Sequence, residues 1–135
     1  MKTKNIFITV LIIAGFMGAC KKDETTTPVE TISRTDYVGS WSCTEIPQAK
    51  NQNFDCTITL DATNTTKIKI SNFANLNGTA TAIVNANIVS LPKQSISGNT
   101  IEGNGTMENK NFITWNYYVK DNTDSLVYNT TFNRK

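Results

Sequence analysis

Alternation of apolar and polar residues dominates the chain from its middle onward. In FDCTITLD, Cys56, Ile58 and Leu60 fall on one side and Thr57 and Thr59 on the other; in KIKI, Ile68 and Ile70 oppose Lys67 and Lys69. NFITWNYYV sets Ile113, Trp115, Tyr117 and Val119 on one face, and SLVYNTTFNR does the same with Leu126, Tyr128 and Phe132. Successive side chains of a strand point to opposite faces, so each run predicts a half-buried antiparallel strand. Turn formers separate them: Asp61-Ala62-Thr63-Asn64, Asn77-Gly78, Ser97-Gly98-Asn99, Asn109-Lys110-Asn111 and Asp121-Asn122-Thr123-Asp124. Together they predict about eight strands, at 37–45, 54–61, 65–72, 78–86, 87–91, 94–97, 100–107 and 112–119, with a further one at 125–133 if the short central ones merge. No stretch carries a helical period.

Short turns between consecutive strands make sequence neighbours pair, and closure is the simplest way for so small a sheet to avoid open edges. The expected fold is therefore all-β, a small antiparallel up-and-down barrel, with a two-sheet sandwich as the alternative. Ala80, Ala82, Val84 and Ala86 alternate on one face. Such small side chains either leave lumen space opposite Trp115, Tyr117 and Tyr128 or accommodate large ones across a filled core, and the filled core is the stronger expectation in so small a barrel.

The N-terminus has a different pattern. Lys2 and Lys4 precede an uncharged apolar run, Ile6 to Met17, which ends in Gly18-Ala19-Cys20. A run of about a dozen apolar residues falls short of the roughly 20 that cross a bilayer and matches a secretory signal. Met17-Gly18-Ala19-Cys20 resembles the lipobox of bacterial lipoproteins, although leucine is more usual where Met17 stands. That resemblance implies cleavage before Cys20 and acylation of its thiol, and about 0.8 kcal/mol per buried methylene makes a multiply acylated terminus a stable anchor. The expected organisation is a signal peptide over 1–19, a lipidated flexible tether over 20–35 and one domain over 36–135. The tether, KKDETTTPVETISRT, has too little apolar surface to offset the entropy of ordering it.

Of the three cysteines, Cys43 and Cys56 then remain. In an exported protein an even pair reads as a disulfide, here closing a loop of about 14 residues worth roughly 3 kcal/mol. Trp41 and Cys43 share a face of the first strand, which places the bridge inward beside Trp41. The chain has no histidine, so no zinc set and no metal site is expected. The formal charge of +2 comes from outside the domain, where acids and bases balance; no basic face is left for nucleic acid.

Gly39-Ser40-Trp41 resembles the Gly-x-Trp signature of the lipocalin and fatty-acid-binding (calycin) group. The resemblance implies that Trp41 closes one barrel end and that an arginine of the last strand, here Arg134, packs across its ring. The chain is shorter than a typical lipocalin and lacks a second signature of that group. From Tyr37 to Lys135 it also resembles small Bacteroidetes lipoproteins with a lipocalin-like domain, in YVGSW, ISNF and LPKQSISGNTIEGNGT. Lys21-Lys22-Asp23-Glu24 resembles the export signal that sends such lipoproteins to the outer face of the outer membrane, and Asp124-Ser125-Leu126 matches the short O-glycosylation motif of that phylum.

Catalytic chemistry has little to work with. A general base would have to be a carboxylate, and Asp36, Glu45, Asp55, Asp61, Glu102, Glu108, Asp121 and Asp124 stand mostly beside turns or strand ends, where solvation or capping explains them. The serines have no partner base, no cofactor motif is present, and Gly103 and Gly105 suit close packing better than phosphate binding. The expected function is a non-enzymatic, outer-membrane-anchored binding module for a small apolar or saccharide ligand, with Trp115, Tyr117 and Tyr128 as contacts. A structural or protein-interaction component of a cell-surface assembly, with a filled barrel, is the alternative.

Overall fold

The computed structural model describes residues 30–46 and 51–135. The expected signal segment 1–19, the expected lipidation residue Cys20, Lys21–Glu24 and the first part of the expected 20–35 tether lie outside the described residues.

Eight strands follow one another along the chain: β1 Gly39–Ile46, β2 Gln52–Leu60, β3 Lys67–Ser71, β4 Thr79–Asn85, β5 Ile88–Ile96, β6 Asn99–Asn109, β7 Phe112–Lys120 and β8 Ser125–Arg134. Each pairs antiparallel with its sequence neighbour, and β8 returns to β1 through the register Trp41↔Arg134 to Ile46↔Asn129, so the sheet closes into an up-and-down barrel. The period-two pattern is the reason. Trp41, Cys43 and Glu45 of β1, Ile113, Trp115 and Tyr117 of β7, and Thr130 and Phe132 of β8 point inward and are buried, while their neighbours face solvent.

Two inward positions of β6 carry no side chain. Gly105 lies opposite Trp115 and Gly103 opposite Tyr117. A β-carbon at Gly105 would stand 2.7 Å from the Trp115 ring and 2.8 Å from the Thr114 carbonyl, and one at Gly103 would collide with the backbone of β7 and Tyr117. The glycines are therefore the floor on which two large rings lie.

Several sequence expectations shift. The runs 87–91 and 94–97 form one strand, β5, interrupted by a register shift between Leu91 and Gln94. Pro92 sits inside that interruption and has no N–H to give to a ladder. Here the Gln94 side chain substitutes for backbone pairing: its Oε1 accepts from Thr81 N and its Nε2 donates to Thr81 O, each at 2.8 Å. Tyr37 is not in β1 but ends a 3-10 turn, Arg34–Tyr37, so regular structure begins before residue 36. Ala86 leaves the inward row, because it occupies the β4–β5 turn with φ 53°. Leu126 is 48% exposed at the start of β8.

One loop enters the lumen. Between β3 and β4, Asn72, Ala74, Asn75 and Asn77 all have positive φ, from 52° to 58°. Asparagine tolerates that region; for alanine it costs about 1–2 kcal/mol. The contorted path turns Phe73 completely inward.

Gly105→Ala is expected to destabilise the barrel by about 1–3 kcal/mol, since neither ring nor backbone has room to retreat. Urea unfolding followed by tryptophan fluorescence measures the change.

Candidate functional site

The barrel has two differently built ends. At the first, which carries the β2–β3, β4–β5 and β6–β7 turns, the structure brings Gly39, Trp41 and Arg134 together. The Arg134 guanidinium lies 4.3 Å from the centre of the Trp41 ring. It donates from Nε to Lys110 O at 2.7 Å, from Nη1 to Val38 O at 2.9 Å, and from Nη2 to Asp36 O. Gly39, with φ 141°, leaves the gap through which the guanidinium passes, for a β-carbon there would meet Nη1 at 2.7 Å. The 3-10 turn forms the base: Tyr37 O accepts from Trp41 Nε1 at 3.0 Å, and Arg34 Nη1 donates to Asn64 O at 2.8 Å and Lys67 O at 2.9 Å. Asp36 accepts from Ser33, which holds its carboxyl below the ordinary carboxylate value. This end is a seal.

The lumen above it holds polar groups. On the inward face, Glu45, Thr130, Trp115, Gly105 and Val89 form one continuous cross-strand row through β1, β8, β7, β6 and β5. Tyr117 and Tyr128 face each other in the next row, stacked at 5.7 Å. Tyr117 donates its hydroxyl hydrogen to Glu45 Oε1 and accepts from Thr130 Oγ1 at 3.1 Å. Glu45 is only 4% exposed and Thr130 1%. Burial raises the Glu45 carboxyl above its ordinary value of 4.5, and the Tyr117 hydroxyl opposes this in part. Burial and then the charge of Glu45 push the Tyr117 phenol well above its usual range.

One donor of this group has no partner. Trp115 Nε1 is buried and makes no hydrogen bond, although its residue is 3% exposed and surrounded by rings. Phe73 from the β3–β4 loop packs against it at 5.2 Å, against Tyr117 at 4.7 Å and against Phe132 at 6.2 Å. The lumen opposite Trp115, Tyr117 and Tyr128 is thus filled, and a loop fills it. Of those three aromatic residues, Trp115 and Tyr117 are buried and Tyr128 is half-buried.

Cys43 and Cys56, the expected bridge, are both buried and stand as free thiols in the structure. The β1–β2 register pairs Trp41 with Cys56 and Cys43 with Phe54, so the two cysteines are diagonal neighbours. Cys56 donates to Asn72 O at 3.3 Å, at the root of the Phe73 loop. A hydrogen bond with Cys56, followed by burial, pushes the Cys43 thiol far up.

Glu45, Thr130 and Phe73 were not singled out by sequence reasoning as site residues. Two had a readable signal: Glu45 continues the inward series Trp41, Cys43, and Thr130 stands between Tyr128 and Phe132. Phe73 had none, because it lies in no alternating run. Asp61 and Asp121 serve their own turns, each accepting from the backbone of the following residues, which lowers both carboxyls. Ser125 is exposed on the outside, beside Lys93, Thr100, Tyr118 and Lys120 in an open groove of about 460 Å³.

No family model and no curated protein matches this chain. Among solved structures, the chain is similar to EF1p2_mFAP2b bound to DFHBI, with a TM-score of 0.58 and 12% sequence identity over 75% of this chain and 95% of that one. The similarity lies in the barrel fold.

The raised Glu45 carboxyl generates a pH dependence. Above about pH 4.5 the unfolded chain releases the Glu45 proton while the folded chain retains it, so this group's contribution falls as pH rises until the folded carboxyl ionises as well. Glu45→Gln cannot ionise, so its melting temperature relative to the parent's is expected to rise as pH increases above about 4.5, until the folded carboxyl ionises, as thermal unfolding followed by circular dichroism would show.

Proposed function

We propose that this protein is a lipoprotein anchored to the outer membrane through Cys20, and that its barrel is a non-enzymatic binding module for a small apolar or saccharide ligand. The observation that carries the binding reading is the orphaned Trp115 indole N–H. A buried donor without an acceptor costs about 1–3 kcal/mol, and folded proteins retain such groups where something else completes them. A ligand acceptor in the lumen would complete this one, with the Glu45–Tyr117–Thr130 group beside it as further hydrogen-bonding capacity and Phe73, Tyr117, Tyr128 and Phe132 as apolar walls. The similar barrel EF1p2_mFAP2b, bound to DFHBI, supports a small-molecule role for this architecture. The anchoring part rests on Lys2, Lys4, the apolar run to Met17 and Gly18-Ala19-Cys20.

A second reading, an interaction component of a surface assembly, is favoured by the filled interior and by the outer groove beside Tyr118 and Lys120. The binding reading is preferred because a filled barrel with no ligand has no use for a buried, unpaired indole donor.

Two measurements test the proposal. Cys20→Ser is expected to stop incorporation of labelled palmitate and move the protein from the membrane to the soluble fraction; unchanged labelling would remove the anchor. In titrations of saccharides, acyl chains and aromatic compounds followed by calorimetry, a saturable ligand is expected, and Trp115→Phe should weaken it about tenfold, the worth of one buried hydrogen bond. An equal affinity in that variant would disconnect binding from the indole.

A further inference from the structure

The ring that fills the lumen is the only aromatic side chain of the Phe73–Trp115–Tyr117–Phe132 group that no strand delivers. Its loop is tied down at two roots. At one, Asn72 N donates to Gly78 O at 2.7 Å, Asn72 Nδ2 donates to Asp55 O at 2.9 Å and Cys56 donates to Asn72 O. At the other, Ser97 Oγ donates to Leu76 O at 2.7 Å. Between these roots the backbone takes positive φ at Ala74, a residue without the side-chain hydrogen bonds that ease an asparagine into that region. The loop therefore carries strain where it presents Phe73.

The match between plug and socket is incomplete in one respect. Phe73 supplies ring surface to Trp115, Tyr117 and Phe132, but it has no acceptor for the Trp115 N–H, which is buried without a hydrogen-bond partner. What the socket lacks is thus an aromatic ring of the same kind with a lone pair at its edge.

We propose that Phe73 is a displaceable plug, and that the ligand that replaces it is a planar aromatic molecule carrying a hydrogen-bond acceptor, which the Trp115 indole N–H engages. This deepens the binding reading and rests on it. On entry, the ligand ring takes the place between Trp115 and Tyr117, Phe73 leaves with residues 73–75, and Asn72, bonded to β2, and Leu76, bonded to Ser97, stay as the hinges. The energy of expelling Phe73 is drawn from the affinity of the ligand, so the free protein binds more weakly than a variant without the plug.

Quinoline and naphthalene test this, because they have nearly the same shape and only quinoline has an acceptor. Titrations use the full chain, its Phe73→Ala variant and a milder Phe73→Leu variant that keeps the lumen apolar if the alanine variant fails to fold. The two indole N–H resonances in proton–nitrogen spectra separate the sites: Trp41 is already bonded to Tyr37 O and acts as the internal control. Quinoline is expected to bind Phe73→Ala at least tenfold more tightly than the parent, with Phe73→Leu between them, and to shift the Trp115 resonance while leaving that of Trp41 in place. Naphthalene should bind several-fold more weakly than quinoline. Equal quinoline affinity in parent and variants, with Trp115 shifted, would overturn the plug and leave the binding reading intact. Equal affinity for the two compounds would overturn the acceptor. Absence of binding to folded variants would overturn the whole inference, and the broader reading would then stand or fall with the ligand titrations on the parent chain.

Discussion

The contact between Arg134 and Trp41 closes the ring of strands as well as one end of it. The two residues are register partners across the β1–β8 seam, where the last strand meets the first. One guanidinium lies over the indole and donates to three carbonyl groups, at Asp36, Val38 and Lys110, that belong to two separate stretches of chain. A planar group with fixed donor directions can serve an aromatic face and several carbonyls at once, and a lysine cannot. With the seam held and the base filled by Tyr37, what happens at the other end can vary without loosening the barrel.

That freedom is visible in how the lumen is filled. Near the seal, Ile58, Ile68, Ile70 and Ile113 make an ordinary apolar core. Farther along, the same inward rows carry Glu45, Thr130 and Tyr117, whose mutual hydrogen bonds satisfy groups that would otherwise be costly to bury. Gly103 and Gly105 open the wall behind two rings, and Phe73 arrives from outside the sheet to meet them. The lumen is divided into a part that stabilises and a part whose chemistry exceeds what stability needs.

The architecture was legible because it depends on local rules. Period-two runs, asparagine and glycine turns and a short chain lead to a closed meander. The alternation even places Glu45 inward, two residues beyond Cys43, once strand-end carboxylates are not assumed to face water. What sequence reasoning could not reach depends on three-dimensional offsets. That Cys43 and Cys56 lie diagonally, opposite Phe54 and Trp41, follows from the β1–β2 register, which the residue types do not encode. Phe73 sits among asparagines in a loop whose path is set by four left-handed residues, and no periodicity announces that it points inward. The merger of two short runs into β5 similarly required Gln94 to bridge to Thr81 by its side chain.

That bridge has a meaning for how the protein meets others. A closed barrel offers no free strand edge, so another chain cannot extend it by adding a strand of its own. Along β4 and β5 the direct backbone pairing covers only Ile83 to Asn85 against Ile88 to Ser90, which leaves a short split beside Thr81. A glutamine amide has the same donor and acceptor as a peptide group, and Gln94 presents both to Thr81, as a missing residue of the ladder would. The split is thereby occupied from within, and among the described residues β4 and β5 leave no open seam for another chain to invade.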